Sequence, residues 1–98
     1  MREFERVVIT GLGAVTPIGI GVPDFWDGVV TSKNGVKPMT LIDPARHQVR
    51  FAAEVSDFNV TDFIEKREAK RMDRFVQFAV VASEEAVADA KLEINDDN

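Results

Sequence analysis

The sequence predicts an α/β fold, and three observations carry that expectation. Arg6-Val7-Val8-Ile9-Thr10 is a β-branched run without polar alternation, closed by Gly11-Leu12-Gly13, which reads as a strand buried on both faces. From about Arg67 to Ala90, apolar residues recur at helical spacing. The order strand, loop, helix, irregular excursion, helices is an α/β opening. The 98 residues are enough for one small domain, taken as a single unit over 1–98 with no second domain. A strand buried on both faces needs neighbours, and few other segments qualify. The chain is therefore expected to be incomplete.

Element by element, Gly11 and Gly13 permit a tight passage or a positive φ after the strand. Thr16-Pro17-Ile18-Gly19-Ile20-Gly21 reads as a loop because Pro and Gly interrupt it. A short helix starts near Pro23, which suits a first turn, and ends at Asn34-Gly35. Its apolar face is Phe25, Trp26, Val29 and Val30. Residues Val36 to Val55 read as irregular, with extended pieces near Met39–Ile42 and Arg50–Val55 and a break at Asp43-Pro44. Asn59 is an N-cap for a helix through Asp62-Phe63-Ile64. The long helical pattern carries a break near Met72-Asp73. Its stripe is Phe75, Phe78, Ala79, Ala82, Ala86 and Ala90, widened by Val76, Val80 and Val87. The first three turns are apolar nearly all round, Gln77 excepted, so that half is expected to be buried. The many alanines predict close backbone approach to another element. Glu84, Glu85 and Asp89 mark the expected solvent side of the second half.

Composition narrows the chemistry. Apolar residues make up 45% and charged residues 30%, which is globular rather than disordered usage. No Cys excludes a disulfide framework, a thiolate metal site and a cysteine nucleophile within these residues, and one His excludes a two-histidine site. No apolar run approaches the ~20 residues needed to span a bilayer. The mixed-charge start, Met1 to Arg6, does not read as a secretory signal, so a cytoplasmic location is expected. The net charge of −5 is uneven: residues 75–98 hold one basic and six acidic side chains, whereas residues 61–74 hold five basic and four acidic. The acidic balance argues against nucleic-acid binding.

Gly11-Leu12-Gly13 after a strand invites a dinucleotide reading, but Thr16 stands at the third glycine position and Pro17 follows it. Thr31 occupies the place of the expected acid, so the segment reads as a structural turn. His47 lies in a polar loop and reads as a surface histidine. Trp26 reads as a core or interface anchor, and Asp24, Asp27, Asp43 and Asp57 show no paired spacing for acid–base work. Arg67, Lys70, Arg71 and Arg74 stand at i, i+3, i+4 and i+7, and on a continuous helix they would share one face. Such a face is either a solvated surface or a docking patch for an acidic partner.

Four ordered pieces together resemble the N-terminal portion of a β-ketoacyl-acyl-carrier-protein synthase, most like the type II condensing enzymes of bacterial fatty-acid synthesis. They are Arg6-Val7-Val8-Ile9-Thr10-Gly11-Leu12-Gly13-Ala14-Val15-Thr16-Pro17-Ile18-Gly19, Phe25-Trp26 with Ser32-Lys33-Asn34-Gly35-Val36, Asp43 with Phe51-Ala52-Ala53-Glu54-Val55-Ser56-Asp57-Phe58, and Lys66-Arg67-Glu68-Ala69-Lys70-Arg71-Met72-Asp73-Arg74-Phe75-Val76-Gln77-Phe78-Ala79. The resemblance implies a thiolase-like fold, layered α/β/α/β/α and formed by two similar halves, of which this chain is a part. It implies a dimer and a decarboxylative Claisen condensation between malonyl-carrier protein and an acyl group held on a cysteine. It implies no cofactor and no metal. Residues matching the family's carrier-docking positions are Arg67, Lys70 and Arg71, with Lys66 and Arg74 as weaker flanking candidates.

The catalytic cysteine and histidines of the family match nothing here, so the chain alone is expected to be inactive, with no catalytic residue of its own. Two alternatives stay open: a non-catalytic, synthase-like partner subunit of the chain-length-factor type, and a free-standing docking module for acidic carrier proteins. Two departures stand out. Lys91 replaces a common Gly after Asp89-Ala90, at a helix C-cap, and Ala53 replaces a frequent Gly.

Overall fold

The longest element of the computed structural model is a helix of 17 residues, and the other elements are short. The structure describes residues 3–97; Met1, Arg2 and Asn98, the ends of the expected 1–98 unit, lie outside the described residues. In chain order the elements are β1 (Val15–Thr16), β2 (Gly19–Ile20), α1 (Val22–Val30), β3 (Lys37–Pro38), β4 (Phe51–Ala52), α2 (Lys66–Ala69) and α3 (Arg74–Ala90). Single 3-10 turns at Pro44–Arg46 and Val60–Asp62 lie in the connections. Both sheets are antiparallel pairs. Val15 faces Ile20 and Thr16 faces Gly19 in one, while Lys37 faces Ala52 and Pro38 faces Phe51 in the other.

Arg6–Thr10 is not a strand in this structure, which corrects the expectation of one buried on both faces. Val7 is 90% exposed and Ile9 84%. The reason is physical: a strand exists through hydrogen bonds to a neighbour, and among the described residues none pairs with this run. The segment after it behaves differently. Thr16 to Gly21, expected as a loop, is largely a tight hairpin in which the Thr16 hydroxyl donates to the Gly19 carbonyl, and Gly21 N–H donates to the Ala14 carbonyl.

Helix α1 begins where Pro23 allows, but it ends at Val30 rather than at Asn34-Gly35. Ser32 takes a left-handed φ of 57°, and Thr31, Ser32 and Lys33 turn their amides back onto Asp27, Val29 and Gly28. Its buried residue is Gly28, packed against Ile18, and not the expected apolar face, for Trp26 is 63% exposed. The excursion folds as the β3–β4 arm. Asp43 caps the first 3-10 turn through the Ala45 amide, and Asn59 caps the second through Thr61. The helix expected to run on to Ile64 is only that one turn, because Phe63 leaves helical geometry at φ −121°.

The core is small: Phe58, Ile64, Ala69 and Val81 are buried, with Val15, Ile20, Val55, Val60, Met72, Phe78 and Val80 packed against them. Phe75, expected inside, is 71% exposed. Of the nearly all-apolar first half of α3, only the side that meets the Phe58 cluster is covered. The radius of gyration is 17.5 Å, against about 13 Å for a compact chain of this length, so much apolar surface stays in solvent.

Along the second half of α3 the alanine stripe meets its expected partner. A Cβ at Gly11 would lie 2.2 Å from the Ala86 carbonyl oxygen, and one at Gly13 would lie 1.8 Å from that of Ala82. Glycine serves close approach here. The left-handed glycine of the segment is Gly21, at φ 90°.

Candidate functional site

Lys66, Arg67, Lys70 and Arg71 are all exposed and lie on α2 or immediately after it. Lys70 remains right-handed helical at φ −64°, and Arg71 and Met72 close the turn with amide bonds to the Glu68 and Ala69 carbonyls at 3.0 and 3.1 Å. Asp73 then turns extended, at ψ 159°, and α3 starts at Arg74. The basic residues are therefore not four positions of one continuous helix; the chain changes direction before the fourth.

The corner is held from inside. Ala69 is buried, and the Gln77 side-chain amide donates to the Ala69 carbonyl at 3.1 Å and to that of Met72 at 3.4 Å. Gln77, the one polar residue in the apolar turns of α3, thus adds a second donor to the Ala69 carbonyl, which the Met72 amide already meets, and ties the end of α2 to the start of α3.

Arg74 has a different environment from Arg67, Lys70 and Arg71. Its guanidinium sits 5.1 Å from the Phe78 ring centre and 5.9 Å from that of Phe58, and it donates to the Val55 carbonyl. Phe58 and Phe78 meet edge to face at 5.2 Å, and Phe63 stacks on Phe58 at 5.9 Å. Arg74 is bound into this aromatic cluster, whereas Arg67, Lys70 and Arg71 present charge outward around one corner.

A concave feature of about 400 Å³ lies between the hairpin and α1, with Ile18, Asp24, Asp27, Lys33 and Asp57 among its lining. Its carboxylates do not form a metal cluster: among the described residues no group of three or more potential ligands is gathered. His47 follows the first 3-10 turn and is exposed.

Glu85 and Asp89, expected on the solvent side, instead face the glycine segment. Glu85 accepts the Ala14 amide on Oε1 and the Val22 amide on Oε2, both at 2.8 Å, and Asp89 accepts the Leu12 amide at 3.0 Å. The correction has a readable cause. Ala82, Glu85, Ala86, Asp89 and Ala90 are spaced i, i+3, i+4, i+7 and i+8, so the acids share the face of the small residues. These carboxylates occupy the amides that an anion would need, which agrees with the structural-turn reading of Gly11-Leu12-Gly13.

A third acid, Glu54, accepts the Thr40 amide at 2.9 Å, the Thr40 hydroxyl at 2.8 Å and the Leu41 amide at 3.4 Å. These bonds, the Thr40 amide first, hold its carboxyl below the usual carboxylate range, with a smaller contribution from the Arg74 charge.

Residues 4–98 match the family model described as the beta-ketoacyl synthase N-terminal domain. The chain is 52% identical over 96 residues to the 3-oxoacyl-[acyl-carrier-protein] synthase 2 of Synechocystis sp., covering 98% of this chain and 23% of that protein. It is 49% identical to the synthase 2 of Staphylococcus aureus strain N315, with the same coverage. A solved structure, the ishigamide ketosynthase/chain length factor, superposes with a TM-score of 0.79 at 35% identity, over 88% of this chain and 21% of that one. The chain spans about a quarter of the length of the curated relatives it matches.

Proposed function

Because the chain belongs to the beta-ketoacyl synthase family, through that family's N-terminal domain, we propose that it forms the opening part of a 3-oxoacyl-[acyl-carrier-protein] synthase of fatty-acid synthesis. The observation that carries this reading is the 52% identity to a synthase 2 over nearly the whole chain. The parent would act as a cytoplasmic homodimer with the layered thiolase-like fold. It would hold an acyl group as a cysteine thioester, to be attacked by the carbanion that malonyl-carrier protein yields on losing CO2. With no Cys and one His in this sequence, the nucleophile and the histidines that assist it come from residues outside it. This chain's own part is scaffold and docking: the exposed Arg67, Lys70 and Arg71 receive the acidic carrier protein, with Lys66 at the edge of the same surface. Arg74, spent on the aromatic cluster, supports the corner rather than touching the carrier.

A chimera tests the reading. The matching quarter of the Synechocystis synthase is replaced by this chain, and the product is assayed with malonyl-carrier protein and an acyl donor. Retained condensation is expected. A folded, dimeric chimera that condenses nothing would overturn it.

The ketosynthase/chain length factor match favours a second reading, in which the parent is a non-catalytic, synthase-like subunit paired with an active one. Acyl labelling of the full-length parent separates the two, because only a synthase takes up a hydroxylamine-labile acyl group.

A further inference from the structure

We propose that Glu85 is a latch: one carboxylate on α3 that joins the glycine segment to the start of α1, so that these two elements leave or hold the helix together. The inference is independent of which synthase the segment serves.

The geometry is bidentate. Oε1 accepts from Ala14 and Oε2 from Val22, at 2.8 Å each, and the carboxylate is partly buried. Ala14 and Val22 are the two ends of the β1–β2 hairpin, which Gly21 N–H closes by donating to the Ala14 carbonyl at 2.8 Å. Val22 is also the first residue of α1. Gly21, at that helix's N-cap, has no side chain to take up the free amides of the first turn. Glu85 does so from 63 residues away in sequence, and its negative charge suits the positive end of the helix. The same carboxylate therefore serves as the cap of α1 and as an anchor of the glycine segment. Asp89 makes a separate bond, one turn on, to Leu12 alone.

Two sites that share one acceptor group cannot open independently without leaving that group half satisfied in a partly buried place. The hairpin and the first turn of α1 should then form one opening unit, which parts from the Phe58–Ile64–Ala69–Val81 cluster where Val15 and Ile20 pack against it. That unit also walls the groove beside Asp24 and Asp27, so its opening would change the groove's shape.

The test is hydrogen–deuterium exchange, resolved to single residues by mass spectrometry, on the full-length protein that carries this segment. Glu85→Gln keeps one carbonyl acceptor and turns an amide NH2 toward the other backbone N–H. The latch requires the Ala14 and Val22 amides to exchange faster together, by a common factor of about ten or more. The Ala69 amide, bonded to the Glu65 carbonyl at 2.9 Å, should keep its rate. Asp89→Asn should speed Leu12 and leave Val22 unchanged. The proposal is overturned if only one of Ala14 and Val22 accelerates in Glu85→Gln, if neither does, or if Ala69 accelerates equally.

Discussion

Gly13 passes so close to Ala82 that a single added methyl group would stand 1.8 Å from the Ala82 carbonyl oxygen, and the obstacle is backbone, which has no rotamer to change. Gly13→Ala is expected to destabilise the protein by about 1–3 kcal/mol or more, the usual range for overpacking. Thermal or urea unfolding of the full-length variant measures it. Because α3 must move as a body, the cost should not be relieved by Ala82→Gly, which leaves the carbonyl in place.

Lys91 holds a left-handed φ of 55° at the end of α3. Its amide donates to the Ala88 carbonyl and that of Leu92 to Val87, the paired bonds of a Schellman end. Lys91→Gly is expected to stabilise by about 1 kcal/mol, because glycine takes this conformation without the Cβ penalty. An unchanged or lowered unfolding midpoint would count against it.

Glu54 yields a pH dependence with a definite sign. Its folded pKa lies below the ordinary 4.5, so the stabilisation it gives is complete above that ordinary value. It is lost as pH falls through the lower, folded-state value. The β3–β4 arm should therefore loosen on acidification, and the Thr40 amide should lose protection first. Thr40→Val, which removes the hydroxyl donor, should bring the Glu54 carboxyl part of the way back toward its usual range. A carbon-detected titration of the Glu54 carboxyl checks both statements.

The charged corner calls for a multiple change. Each exposed ion pair contributes only about 0.2–1 kcal/mol, so single substitutions at Arg67, Lys70 or Arg71 should be nearly silent. Reversing all three to Glu in the full-length parent should weaken carrier-protein binding more than tenfold at low salt. The loss should shrink as salt shortens the screening length to about 8 Å near 0.15 M. Arg74→Ala should behave differently, lowering stability through the lost contacts with Phe58 and Phe78 while leaving that salt dependence in place.

What the sequence made legible follows from how local the controlling physics is. Pro23, Asn59 and the break before Asp73 act within a turn of themselves, and each does in the structure what its residue type predicts. The alanine spacing on α3 implied a close neighbour, and Gly11 and Gly13 are that neighbour. The run Val7–Ile9 failed because pattern reports what a segment would bury and not whether a partner is present to bury it. Glu85 and Asp89 were misplaced for a related reason. An acid in an amphipathic helix defaults to solvent unless backbone donors lie opposite, and those donors are more than 60 residues away in sequence. On the basic corner, the spacing of Arg67, Lys70 and Arg71 is a local property of α2 and its cap. The diversion of Arg74 depends on Phe58 and Val55 across the fold, which no helical wheel contains.

The seam between the glycine segment and α3 is a problem in commensurate lengths. Gly11 to Gly13 advances two residues while Ala86 to Ala82 retreats four, and the amides of Leu12 and Ala14 step from Asp89 to Glu85 in the same ratio. Two residues of extended chain cover about 6.6–6.8 Å, and four residues of α-helix rise about 6.0 Å. The two rulers nearly agree, which lets small residues and amide–carboxylate bonds repeat in phase. They disagree by roughly 0.7 Å per step, so a third or fourth repeat would drift out of register by about a third of the spacing or more. A seam of this kind sets its own length. The chain leaves the helix and turns into the hairpin at Val15, after a single step in each ladder, before the mismatch has grown to the size of an atom.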